Sequence, residues 1–87
     1  MILECNNKKI YINESDISTI QPYSKDHDEM KEWNSPYMIV ISTIHSGELN
    51  ILFDEESERD EAINSLCWEL EMNASEAHAI LAKGRLI

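Results

Sequence analysis

Apolar residues in the first half of the chain recur with a period of two, the spacing that places them on one face of a strand. Ile2 to Cys5 and Lys8 to Ile12 flank Asn6-Asn7, and asparagine tolerates positive φ, so the pair predicts a tight two-residue hairpin. Asn13, Glu14 and Ser15 make a turn before a third strand over Asp16 to Gln21. There Ile17 and Ile20 break the alternation, which predicts a bulge or an edge position. Pro22 favours the edge because it has no N–H to give a ladder. In Tyr37 to Ile44, Tyr37, Ile39 and Ile41 point one way and Met38, Val40 and Ile44 the other, the mark of a central strand. His45-Ser46-Gly47-Glu48 turns the chain, with glycine where positive φ is needed, and Leu49, Ile51 and Phe53 line one face of the strand that follows.

After Phe53 the period changes to 3.6. Asp54 or Ser57 can cap a helix, the acids that follow complement its positive N-terminal end, and Ile63, Leu66, Cys67 and Leu70 form one stripe. Asn73 with Glu76 three residues on offers a second cap. Ala77, Ile80 and Leu81, closed by Gly84, then predict a second short helix. The expected fold is α+β: a mostly antiparallel sheet of about five strands, two hairpins plus an edge strand. A C-terminal amphipathic helix packs on one face, and a second short helix follows. One domain over residues 1–87 is expected, strand-rich over 1–53 and helical over 54–87. Between the third and fourth strands, Tyr23 to Ser35 is a polar interruption, read as a flap or a short helix over Met30 and Trp33.

Charge changes the picture most. The chain has 87 residues, 17 acidic and 7 basic, for a net −10. Scattered cations in an acidic chain cannot displace enough counterions to bind a phosphate backbone, so no direct nucleic-acid binding is expected. No apolar run is long enough to span a bilayer, and Met1 to Cys5 lacks the start of a signal peptide. A soluble, cytoplasmic protein without membrane contact is expected. Cys5 and Cys67 have no CxxC spacing, which suits a reducing compartment, and both are expected to be buried as small apolar residues.

The acids are not spread evenly. Asp54 to Met72 holds eight against one base, Arg59, a local charge of −7. One reading is a solubility device with dipole complementation at a helix start. The other is a negative surface that steers a basic protein partner. Trp68 and Met72 lie away from the Ile63–Leu70 stripe and make a second apolar face, which the following helix is expected to cover. Left uncovered, that face would serve a partner or a second copy of the chain. The candidate partner-binding residues are therefore Glu55, Glu58, Asp60, Glu61, Trp68 and Met72, with Trp33 beside the polar interruption as a further anchor.

Other chemistry is weakly signalled. Asp26, His27, Asp28, Glu29 and Glu32 could donate to a divalent ion, but they lack the glycine and terminal glutamate of a Ca²⁺ loop and the ligand set of a zinc site. Cys67 falls on the core stripe, His45 and Ser46 are chain neighbours in a turn and such neighbours rarely hold reacting atoms in the needed geometry, and His78 has no partner readable from sequence. Only Gly47 and Gly84 are glycines, so no phosphate-cradling loop exists. No catalytic, cofactor or metal site is assigned.

From Tyr37 to Met72 the order of elements, antiparallel strands meeting at Gly47-Glu48 and then an amphipathic helix, is similar to the second half of a PH-like domain. That resemblance is of architecture, and the basic lipid-binding loop that such domains often carry is missing. The leading expectation is a small, acidic, non-enzymatic interaction module that occupies a basic surface of a partner. One version is a phage or mobile-element inhibitor that mimics nucleic-acid charge. The alternatives are a homo-oligomeric structural subunit, such as a homodimer, and a metal-binding or hydrolytic protein using the 26–32 loop.

Overall fold

The computed structural model describes residues 1–24 and 37–87. In chain order these form β1 (Ile2–Cys5), β2 (Lys9–Tyr11), a 3-10 turn at Glu14–Asp16, β3 (Ile17–Ser24), β4 (Tyr37–Thr43) and β5 (Glu48–Phe53). They continue with α1 (Glu56–Asn73), a 3-10 turn at Ala74–Glu76, β6 (His78–Leu81) and β7 (Arg85–Leu86). All five expected strands are present, but they divide between two sheets and two further strands join them. One sheet has the order β2-β1-β6, the other β3-β4-β5-β7. The class is α+β, with antiparallel pairing throughout the second sheet and one parallel pair, β1 with β6, in the first.

Local chemistry explains most of these elements. Asn6-Asn7 closes the first hairpin, with the Cys5 amide donating to the Lys8 carbonyl at 2.7 Å. The Asn13 carboxamide oxygen accepts from the Ser15 amide at 3.1 Å and caps the 3-10 turn. Among the described residues β3 is an edge strand. It carries Pro22 and shifts register between Ile17 and Thr19, so edge and bulge both occur. β4 is central and buries both faces, Ile39 and Ile41 on one and Met38 and Val40 on the other. The β4–β5 turn reverses at Gly47, whose φ of +79° few other residues adopt.

Ala62 and Leu66 on α1 pack with Leu3, Ala79 and Leu81 of the first sheet and Ile39, Ile51 and Phe53 of the second. Each large side chain buried this fully contributes about 1.5–3 kcal/mol. Met38, Val40 and Leu52 make a smaller cluster on the opposite face of the second sheet.

The region expected to be helical over 54–87 needs correction after Asn73. No second helix forms: Ala74–Glu76 is a 3-10 turn and His78–Leu81 is a strand. Ala77, Ala79 and Leu81 are buried while His78 and Ile80 are exposed, so the true period is two, and β1 supplies a parallel partner far away in sequence. Gly84 is not a helix cap. A Cβ there would lie 2.7 Å from Ile51 Cγ2 and 2.9 Å from Phe53 Cζ, so this glycine allows the last turn to close over the core. Over Tyr37 to Met72 the order of elements is as expected, two antiparallel strands and then a helix, and beyond it α1 is followed by strands of both sheets.

The sheets are tied together at the first hairpin. The Asn6 amide donates to the Gly84 carbonyl at 2.9 Å. Asn7 donates from Nδ2 to the Leu86 carbonyl at 3.1 Å and accepts from the Leu86 amide at 3.0 Å, so one carboxamide acts as a rung along β7.

Candidate functional site

α1 carries most of the candidate residues, and its two faces differ in kind. The inner face presents Ala62 and Leu66, with Ile63 and Leu70 half-buried beside them. At its start the same face buries Arg59, only 6% exposed. Arg59 Nη1 donates to the Tyr23 carbonyl at 2.7 Å and to Ser24 Oγ at 3.1 Å, while Nε donates to Asp60 Oδ1 at 3.1 Å. Its guanidinium carbon lies 5.4 Å from the centre of the Tyr37 ring, within cation–π range. A buried cation is tolerated only when its donors are filled, and this one binds the helix start to the end of β3 and the beginning of β4.

Fold-internal partners also claim several of the surrounding carboxylates. Asp60 and Glu56 lie 3.0 and 3.8 Å from Arg59 Nη2, Glu58 lies 3.7 Å from Lys83 and Asp54 lies 3.4 Å from Arg85. Of the four candidate acids, Glu58 and Asp60 are therefore partly neutralised. Glu55 and Glu61 are exposed and have no ion pair among the described residues, and the same holds for Glu71. Asp54 is engaged with Arg85 and Ser57 lies within the first turn of the helix, which begins at Glu56.

The outer face of α1 is where the expectation of a covering helix fails. Trp68 is 55% and Met72 64% exposed, because the chain turns into β6 and does not fold back over them. At about 100° per residue Trp68 lies roughly 160° from Leu66, on the side that also carries Glu61, Asn64 and Ser65. Trp68, Asn64, Ser65 and Glu69 line a shallow hollow. Trp33 and the Asp26, His27, Asp28, Glu29 and Glu32 group lie outside the described residues.

Dipole complementation accounts for only part of the acid content. Glu56 and Glu58 occupy the first turn, where negative charge is favourable, but the last turn has no basic residue. Glu71 sits in that last turn, where a carboxylate opposes the dipole at a cost of about 0.3–1 kcal/mol.

The remaining candidates are dispersed. His45 Nδ1 lies 2.7 Å from Asp16 Oδ1 at one end of the second sheet, and His78 Nε2 lies 3.3 Å from Glu4 Oε1 on the first. No three His, Cys, Asp or Glu side chains converge on a metal position among the described residues. Cys5 is buried, as expected, and burial pushes its thiol up to about 11. Cys67 is exposed on the flank of α1, one residue past the inner stripe, which corrects its expected burial. No helix among the described residues is long and apolar enough to cross a membrane.

A feature missed in the sequence lies beside α1. A groove of about 140 Å³ runs between the helix, at Glu58, Glu61 and Ser65, and the segment from Ile80 to Lys83. It depends on β6 being a strand, so reading that segment as a helix hid it. Compared with known proteins, the chain matches no family model, no curated protein and no solved structure.

Proposed function

We propose that this chain is a small acidic protein-interaction module that works by occupying a basic surface of a partner protein. The observation that supports this most is the outer face of α1. It joins the exposed Trp68 and Met72 to Glu61 and Glu71, carboxylates that no described cation neutralises. Neither feature serves the core: the indole is 55% exposed and Glu71 lies in the last turn of α1. An indole in water forgoes the burial that stabilises a core, and Glu71 works against the helix dipole. Aromatic and sulfur-bearing side chains ringed by charge are well suited to a contact in which the rim steers approach and the apolar centre holds.

Salt dependence tests the reading. A partner retained by the immobilised chain should elute as salt rises to a few hundred millimolar, because exposed charges are screened within about 8–10 Å at physiological ionic strength. It should also be lost when Trp68→Ala is combined with Glu61→Lys. If the occupied surface is a nucleic-acid groove, duplex DNA should displace the chain. Retention indifferent to salt and to both substitutions would reject the reading.

A further inference from the structure

β6 is an edge of its sheet among the described residues, and the phase of its pairing shows where its main chain points. The Ile2 amide donates to the Ala77 carbonyl at 2.8 Å, and Ile2 lies opposite His78 in the parallel register. In a parallel pair, alternate residues face the neighbouring strand, so Ala77 and Ala79 turn their polar groups to β1, as does the Leu81 amide, while the Leu81 carbonyl accepts from the Gly84 amide at 2.9 Å. The amides and carbonyls of His78 and Ile80 turn the other way, where no described strand pairs with them.

The groove against α1 meets this edge at its end. Ile80 and Leu81 of β6 line one side, together with Ala82 and Lys83 of the turn that follows. Glu58, Glu61 and Ser65 line the other side, with the buried Phe53 between. Ser65 also borders the hollow at Trp68, so groove and indole adjoin.

We propose that an extended basic segment of the partner adds to β6 as a strand, along the edge that no described strand pairs, and runs on into the groove. Main-chain hydrogen bonds to His78 and Ile80 would supply the attachment, and alternate cationic side chains would reach α1. Glu58 already has Lys83 at 3.7 Å, so Glu61 is the carboxylate open to an incoming cation. Charge selects this occupant over a second copy. Pairing β6 with its own counterpart would bring two acidic helices to one seam in chains of net charge −10. The proposal rests on the chain being an acidic interaction module and specifies how that module engages its partner.

The probe is a capped peptide alternating lysine and valine, followed by fluorescence anisotropy and by amide hydrogen exchange. One control is the lysine–valine peptide with every backbone amide N-methylated, keeping the charge but without a donor for a ladder on either side, and another alternates glutamate and valine. Binding of the lysine–valine peptide should slow exchange at the His78 and Ile80 amides about tenfold or more, and both controls should bind at least about tenfold more weakly. Ile80→Pro removes an outward amide and no bond to β1, so it should weaken binding about tenfold without unfolding the chain. Glu61→Lys should do the same while leaving every main-chain group intact. Equal binding of the N-methylated peptide, unaffected by Ile80→Pro, would overturn strand addition while leaving the acidic-surface reading intact. No binding up to about millimolar peptide would overturn strand addition, and the absence of any salt-sensitive partner as well would remove the broader reading too. Protection of the two amides that grows with the concentration of the chain alone would assign the edge to a second copy and overturn the proposal.

Discussion

The two faces of α1 reverse the usual allocation of charge and apolar surface. The inner face buries a guanidinium at Arg59, while the outer face leaves an indole and a thioether in water at Trp68 and Met72. The arginine is fully explained by what surrounds it: a carbonyl and a hydroxyl at the end of β3, a carboxylate beside it and the Tyr37 ring nearby. The indole is covered only in part, at 55% exposure. A polar group inside with its donors filled is a structural device, whereas an apolar group more than half exposed is surface available for binding.

Removing the buried cation should have the largest effect. Arg59→Ala removes the bonds that Arg59 donates to the Tyr23 carbonyl and the Ser24 hydroxyl and empties the space against Tyr37, at a cost of about 3–4 kcal/mol read from denaturant midpoints. Arg59→Lys keeps the charge but cannot reproduce the planar fork and should cost about 1–2 kcal/mol. A loss under about 1 kcal/mol for the alanine variant would mean that the inner face does not depend on this residue.

The two cysteines set the same side chain on either side of the boundary. Cys67 on the flank of α1 should react with a thiol reagent in the folded protein, and Cys5 only on unfolding. Burial lifts the Cys5 thiol from 9.0 to about 11, so the folded chain keeps a proton that the unfolded chain has released. This contribution is complete below about pH 9 and is lost as the pH rises towards 11. The loss is about 2–3 kcal/mol in all. Cys5→Ala should flatten that slope.

How far these contrasts were legible in the sequence depends on whether their causes are local. The Asn6-Asn7 turn, the central strand at Tyr37 to Thr43, the edge at Pro22 and the helix after Phe53 all follow from spacing within a few residues. Trp68 could be placed opposite the inner stripe because the helical period does so without knowledge of any partner. Arg59 left a trace as the single base among eight acids, but its burial needed β3 and β4 to be in place. Residues 77–81 misled for a related reason. Ala77, Ile80 and Leu81 fit a short helix as well as a strand, and only a parallel partner some 75 residues away decides between them. Gly84 and Asn7 show the same limit, each being suited to a turn by residue type yet fixed by a contact with a distant strand. A check on that distant role is Gly84→Ala, which should cost about 1–3 kcal/mol by pressing a methyl into Ile51 and Phe53. A helix-capping glycine in open space would cost less.

The smallest stability effect belongs to the outer face, and it is the one that sharpens the contrast most. Trp68→Ala should change unfolding free energy by less than about 0.5 kcal/mol, as surface substitutions do when they remove no buried contact. The same substitution should weaken partner binding by about 2 kcal/mol or more, roughly thirtyfold, if the indole is a central anchor. Met72→Ala, one turn further along, should follow the same pattern with a smaller binding loss. If Trp68→Ala instead lowers stability by more than about 1 kcal/mol with no change in binding, the indole contributes to the fold. The reversal between the two faces of α1 would then be a packing feature without a functional meaning.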